Sequence, residues 1–260
     1  MKVYISTDLE GISGVTMWEQ TREPDTAAYQ HARHLLTCDV NAAVAGCLDA
    51  GATEVLVLDG HGLPFNFIPD ELHPGATYVV GPGRGAHSIV DSSFDAAMLV
   101  GYHAMAGTPN AVLAHTQSSK AGCRYWYNGR ESGEIAQCAS VLGHHGIPVV
   151  MVTGDDATCA EAHEFLGNAV VTVCVKKGTG ITSCVMTPPQ RAWQMIREGA
   201  AEALRRIGQC TPFKLDTPIT ARLQYGTKEI ADKARCTLST RIDGRTFERT
   251  MDSQLEIHKF

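Results

Sequence analysis

A short apolar run that passes straight into an acidic, glycine-punctuated turn opens the chain: Lys2 to Gly14, KVYISTDLEGISG. Val3, Tyr4 and Ile5 are β-formers, and a buried strand in this position is the usual start of an open α/β sheet. The polar residues arrive where that strand should end. Asp8 and Glu10 are two apart, so extended backbone points both carboxylates to one side, where they can converge on a single cation. Gly11 and Gly14 then let the backbone turn away without steric cost. On its own, such a spacing more often marks a solvated acidic turn than a metal site, so the residues downstream have to decide.

The same pattern recurs. Glu54 to Leu58, EVLVL, runs into Asp59-Gly60-His61-Gly62, and the buried run at 97–100 ends at Gly101 with His103 just beyond. AVLAHTQ follows, carrying His115, which reads either as an acid/base or nucleophile or as a satisfied polar histidine in a strand. A hairpin is predicted around Asn128-Gly129 and a helix from about 132 to 144, with Glu134 in its first turn, where the helix dipole favours a carboxylate.

The intervening segments complete an alternation of strands and helices. Asp25 or Thr26 can cap a long helix closed by Gly51. His31 and His34 lie three apart on it, but the sequence places no carboxylate or third ligand beside them, and they read as surface or packing histidines. The segment 64–85, rich in proline and glycine, reads as an active-site loop with an extra strand at 77–81. Strands at 148–156 and 169–175 flank a helix at 160–166. A long helix from Thr187 to about Ile207 then precedes strands at 219–225 and on either side of Asp243-Gly244. This predicts an α/β fold: a mostly parallel sheet flanked by helices, with a smaller C-terminal α+β subdomain. Residues 1–186 are expected to form the metal-binding catalytic domain, and 187–260 a helix and β-hairpin subdomain used for packing or oligomerisation.

Composition narrows the function classes. With 260 residues and 44% hydrophobic content the chain can bury a sizeable core. A formal net charge of -6 and the lack of any Lys/Arg run argue against nucleic-acid or membrane-surface partners. No apolar run approaches the roughly 20 residues that span a bilayer, and no leader pattern is present, which predicts a cytoplasmic protein. Nine scattered cysteines without a CxxC pair read as reduced thiols.

Ligands in an open α/β sheet gather outside the carboxyl ends of its strands, and Asp8, Glu10, His61 and His103 all fall there. Together with Glu134 they supply oxygen and nitrogen donors without thiolate, which suits catalytic zinc first and manganese second. Five side chains are too many for one open zinc but suit two metals about 3.5–4 Å apart, with Asp8 as the natural bridge. Asp59, two residues before His61, reads as an orienting partner of the histidines or as a solvated turn residue.

With these motifs in one order, STDLEGISG, VLVLDGHG, LHPGA, VGYHA, AHT, YWYNGRESGE and PVVMVTGDD, nearly the whole chain resembles the zinc-dependent D-aminopeptidases first linked to a bacterial dipeptide-transport operon. The resemblance implies two Zn2+ per chain, with Asp8 bridging, Glu10, His61, His103 and Glu134 as the remaining ligands, and His115 as the catalytic histidine. It also implies a small peptide substrate with a free amino terminus, such as a D-alanyl peptide, and a large homo-oligomer, a ring-shaped decamer with an internal chamber. The loops at Pro64 to Phe67 and Ser118 to Gly122 are less alike, so an L-specific aminopeptidase or a binuclear amidase or phosphoesterase would use the same ligands. A non-catalytic binding protein is the reading that such a complete ligand set argues against.

Overall fold

A computed structural model describes residues 1–63, 65–81 and 86–260. Its strands are β1 (Lys2–Thr7), β2 (Glu54–Asp59), β3 (Thr77–Val79), β4 (Ala96–Val100), β5 (Arg124–Tyr127), β6 (Arg130–Glu131), β7 (Val149–Asp155), β8 (Val171–Gly180), β9 (Ser183–Met186), β10 (Ile219–Gln224), β11 (Thr240–Arg241) and β12 (Thr246–Met251). Its helices are α1 (Glu19–Arg22), α2 (Ala27–Asp49), α3 (Ala86–Ile89), α4 (Glu134–His144), α5 (Asp156–Leu166), α6 (Pro189–Arg205) and α7 (Lys228–Lys233).

The larger sheet has the order β3-β2-β1-β4-β7-β8-β9 and is parallel except for β9, which returns antiparallel against β8. This is the mostly parallel, helix-flanked α/β architecture expected. From β1 the chain goes outward to β2 and β3, then crosses back to β4 on the other side of β1. The strand order therefore reverses between β1 and β4, where the crevice for a ligand opens at the carboxyl ends.

Alternation along each strand divides the core into two layers. Val3, Ile5, Val55, Val57, Met98 and Val100 pack with the α2 and α6 residues Leu36, Val40, Ile196 and Ala200. Tyr4, Leu58, Ala97 and Leu99 point the other way, onto Ile135, Ala139 and Leu142 of α4 and Ala162 of α5. Burial on both faces is why these strands read as nearly continuous apolar runs.

Of the two possible caps of α2, Thr26 is used: its Oγ1 accepts the Tyr29 N–H at 3.2 Å. Gly46 lies where α2 meets α6, and a Cβ built there would sit 2.2 Å from the Arg197 carbonyl oxygen and 2.8 Å from the Ala200 Cβ. Gly46→Ala gains about 1 kcal/mol of helix propensity, but overpacking against backbone costs about 1–3 kcal/mol. A net loss is expected, read as a lower Tm by scanning calorimetry. An unchanged or higher Tm would show that the two helices separate freely.

Several local expectations shift for identifiable reasons. Helix α5 starts at Asp156, earlier than 160, because the Asp155 Oδ1 accepts both the Thr158 N–H at 2.8 Å and its hydroxyl at 2.7 Å. His115 is not in a strand: Leu113 and Gln117 have φ of 53° and 61°, which breaks extended geometry on either side of it. Strand β9 and helix α7 are additions to the expected elements. Of the loop expected at 64–85, Pro64 and residues 82–85 lie outside the described residues, and its extra strand is the three-residue β3.

The second sheet is antiparallel, in the order β11-β12-β10-β5-β6. Asn128 and Gly129, with φ of 51° and 81°, make the two-residue turn between β5 and β6 that their sequence predicts. The free edge of β5 is then covered by β10, which aligns Ala221 with Tyr127 and Leu223 with Tyr125. Helix α6 lies on the large sheet, and the β5–β6 hairpin lies in the small one. No helix among the described residues is long and apolar enough to cross a membrane.

Candidate metal centre

Beyond the end of β1 the backbone continues to bond to the end of β4, with Asp8 N–H donating to Val100 O at 2.9 Å and Gly11 N–H to Gly101 O at 2.8 Å. β1 itself ends at Thr7, and it is a turn through Leu9 and Glu10, with the Ile12 N–H donating to the Leu9 carbonyl at 3.3 Å, that brings Asp8 and Glu10 to one place where extended backbone was expected to do so. A Cβ on Gly11 would lie 1.8 Å from the Tyr102 carbonyl oxygen, so only glycine allows the turns after β1 and β4 to approach this closely. Two buried charged residues from elsewhere hold the same turn. Lys176 of β8 donates its ammonium protons to the carbonyls of Glu10 at 2.6 Å, Ile12 at 3.1 Å and Val15 at 2.5 Å. Asp39 of α2 accepts the Ser13 N–H at 3.0 Å and its hydroxyl at 2.5 Å. Sequence reasoning missed both, since neither lies near a motif.

Around this turn the structure gathers Asp8, Glu10, His61, His103, His115 and Glu134. His103 Nε2 lies 3.2 Å from Asp8 Oδ2 and 3.4 Å from Glu134 Oε1, and His61 Nε2 lies 3.4 Å from Glu10 Oε1. His115 Nε2 is 4.0 Å from Glu134 Oε1. Its ring stacks on His103 with centroids 4.0 Å apart and takes the Trp18 edge at 5.7 Å. Asp8, Glu10 and His103 form one group with metal-holding spacing, and His103, His115 and Glu134 form another, so the two share His103. Asp59 does neither thing expected of it. Buried, it accepts the Asn66 backbone N–H and side-chain amide at 2.7 Å each, and so holds the loop after His61 instead of an imidazole.

The donor set fits metal. Asp8 Oδ2, Glu10 Oε2, His61 Nδ1 and His103 Nε2 are buried without a hydrogen-bond partner among the described residues. Each such atom costs about 1–3 kcal/mol unless something satisfies it, and four oxygen and nitrogen donors in one place are what a borderline divalent cation satisfies. His103 is oriented for this role, because its Nδ1–H donates to the Ala104 carbonyl at 3.0 Å and leaves Nε2 facing the carboxylates, where a cation would replace its proton.

The cluster's electrostatics follow from burial and crowding. Burial, then the charge of Glu10, pushes Asp8 up to about 6. Burial also opposes ionisation of Glu10, but His61 overcomes it and holds that carboxyl below its ordinary range. The carboxylates in turn overcome the effect of burial on the histidines, raising His61 to about 9 and His103 well above its usual value. His115 differs. Burial and the neighbouring His103 charge both lower it, so it is neutral at pH 7. Beside Glu134 a cavity of about 250 Å3 is lined by Ser6, Gly60, Tyr102, Gln117, Tyr125 and Gln137, among others.

The family model for peptidase M55, D-aminopeptidase, matches residues 1–260. The chain belongs to the D-aminopeptidase family. It is a hydrolase of peptide bonds, as the sequence resemblance implied. A D-aminopeptidase from Bacillus subtilis (strain 168) is 34% identical over 238 residues, covering 89% of this chain and 85% of that protein. The solved structure of the Zn-dependent D-aminopeptidase DppA from Bacillus subtilis, described as a self-compartmentalizing protease, superposes with a TM-score of 0.91 at 28% identity. That match covers 100% of this chain and 94% of the other.

Proposed function

We propose that this D-aminopeptidase-family chain is a binuclear zinc enzyme that removes small D-amino acids, D-alanine in particular, from short peptides and amides with a free amino terminus. Asp8, Glu10, His61, His103 and Glu134 would hold the two ions, with Asp8 as the ligand shared between them. Zinc is preferred and manganese is the second choice. The observation that carries the reading is the set of buried, unpartnered donors from Asp8, Glu10, His61 and His103 at the reversal of strand order.

When bound, zinc would supply Lewis acidity toward the scissile carbonyl and a water acidified toward neutral pH. The chain's own groups do the rest. Neutral His115, with its Nδ1–H donating to the Leu113 carbonyl at 2.8 Å, presents the Nε2 lone pair toward Glu134 and the reacting centre, where it accepts a proton and returns it to the leaving amine. The Glu134 Oε1 is itself held by the Gln117 N–H at 2.7 Å. The cavity beside Glu134 is below the usual range for drug-sized ligands, about 300–1,000 Å3, which favours a short substrate. The assembly reading is a ring-shaped homodecamer in the cytoplasm, with the strands of the 187–260 region serving packing or oligomerisation.

Matched D- and L-aminoacyl p-nitroanilides with N-acetylated controls test the substrate assignment. Once amine and carbonyl are fixed, chirality is read by side-chain fit alone, and the expected result is a D-preference of roughly 10–200-fold, the range a pocket contact yields. Equal cleavage of blocked and free substrates would replace the aminopeptidase with a general amidase. A preference for L-substrates would keep the chemistry and reverse the stereochemistry.

A further inference from the structure

We propose that the exposed face of α2 carries an additional divalent-cation site, built from Cys38 and His34 with Glu71 behind the imidazole, and suited to zinc or cobalt. His34 has no partner that its local sequence reveals, yet folding brings Glu71 Oε2 to 2.6 Å from its Nδ1. Cys38 lies one turn further on the same face, with its Sγ 3.8 Å from His34 Nε2. Ligand atoms of the three residues lie within 4.8 Å of one another.

The spacing matches a known chemistry. Tetrahedral zinc at about 2.3 Å from sulfur and about 2.0–2.1 Å from nitrogen sets those two ligands about 3.6 Å apart, so the pair needs to close by only a few tenths of an ångström. A carboxylate on the far nitrogen is the arrangement that fixes the tautomer and direction of a metal-binding histidine. Exposed His31, one turn earlier, stacks on His34 with ring centroids 6.2 Å apart, and a rotamer change brings it in as a third donor.

The frame is already built. Asn41 of α2 donates to the Glu71 carbonyl at 2.7 Å and accepts the His73 N–H at 2.8 Å, and the Thr37 hydroxyl accepts the Ile68 N–H at 3.1 Å. Glu71 is thus anchored to the helix before any cation arrives. The segment so anchored leads on from Asn66, the partner of Asp59, so a cation here braces the stretch that follows His61. Binding displaces the Cys38 proton, since the thiolate is the ligand.

Cobalt distinguishes this site from the catalytic one, whose ligands include no sulfur. Chelator-stripped full-length protein titrated with Co2+ is expected to bind one ion beyond those held by the Asp8 cluster and to develop a thiolate-to-cobalt charge-transfer absorption. Cys38→Ser should abolish that absorption with turnover unchanged, and Glu71→Gln should weaken the Co2+ midpoint tenfold or more. Asp8→Ala should leave it intact, so a failure of the catalytic assignment would not touch this one. No thiolate absorption in the unmodified protein, or one that survives Cys38→Ser, would overturn the proposal.

Discussion

Asp8→Ala is expected to empty the proposed two-ion centre almost completely, leaving at most the ion proposed on α2, and to cut kcat/KM by roughly 10^4-fold, about 5.5 kcal/mol at 1.36 kcal/mol per decade. The reason is position. Asp8 faces His103, which both metal-holding groups share, whereas Glu10 pairs with His61 on one side. Glu10→Ala is therefore expected to lose one ion and keep the other. Elemental analysis of protein purified without chelators, followed by titration of the stripped variants, reads both results. Identical titrations for the two variants would reject the bridging assignment, and one ion or none in active unmodified protein would reject the binuclear centre.

Unfolding will not mimic this result. The folded-state pKa of Asp8 is raised to about 6 by burial, so the ionised group costs stability in the metal-free protein as pH rises through that value. Removing it relieves that cost at neutral pH. The Tm of stripped Asp8→Ala at pH 7 should equal or exceed that of the stripped parent.

His115→Ala is expected to lower kcat by roughly 10^2–10^4-fold, the usual range for an acid/base group, with metal content and KM little changed. Burial and the His103 charge hold His115 below its ordinary 6.5, so it is neutral and able to accept a proton from neutral pH down to below that value. Activity of the unmodified enzyme should accordingly hold as pH falls to 6.5 and decline only beneath it, and the variant should lack that acid limb. His115 Nε2 is also 4.0 Å from Glu134 Oε1, a proposed ligand atom. Metal lost together with activity would make it a ligand and leave the proton to another group.

Much of this centre is legible in the order of residues because its parts are local. An apolar run that stops at a chelating side chain places that side chain at a strand end, whereas Asp8 and Glu10 lie past the end of β1 and are brought together by the turn that follows it instead of by strand periodicity. The same local rules placed His61, His103 and Glu134, the Asn128-Gly129 turn and the parallel sheet. The family resemblance supplied what local rules do not, the proposed division of roles between ligands and His115.

What the tertiary structure alone decided is which distant polar groups meet. Lys176 reaches the Glu10 carbonyl across 166 positions and Asp39 reaches Ser13 across 26, and each looks in sequence like an ordinary member of its strand or helix. Pairing of β5 with β10 tied the last third of the chain to the hairpin just before Glu134. Glu71 joined His34 in the same way, across 37 positions. Periodicity specifies which face a residue presents, whereas strand order and helix packing specify what that face meets. A charge buried by those contacts carries no local signature, because its partners are backbone carbonyls and amides that every residue possesses.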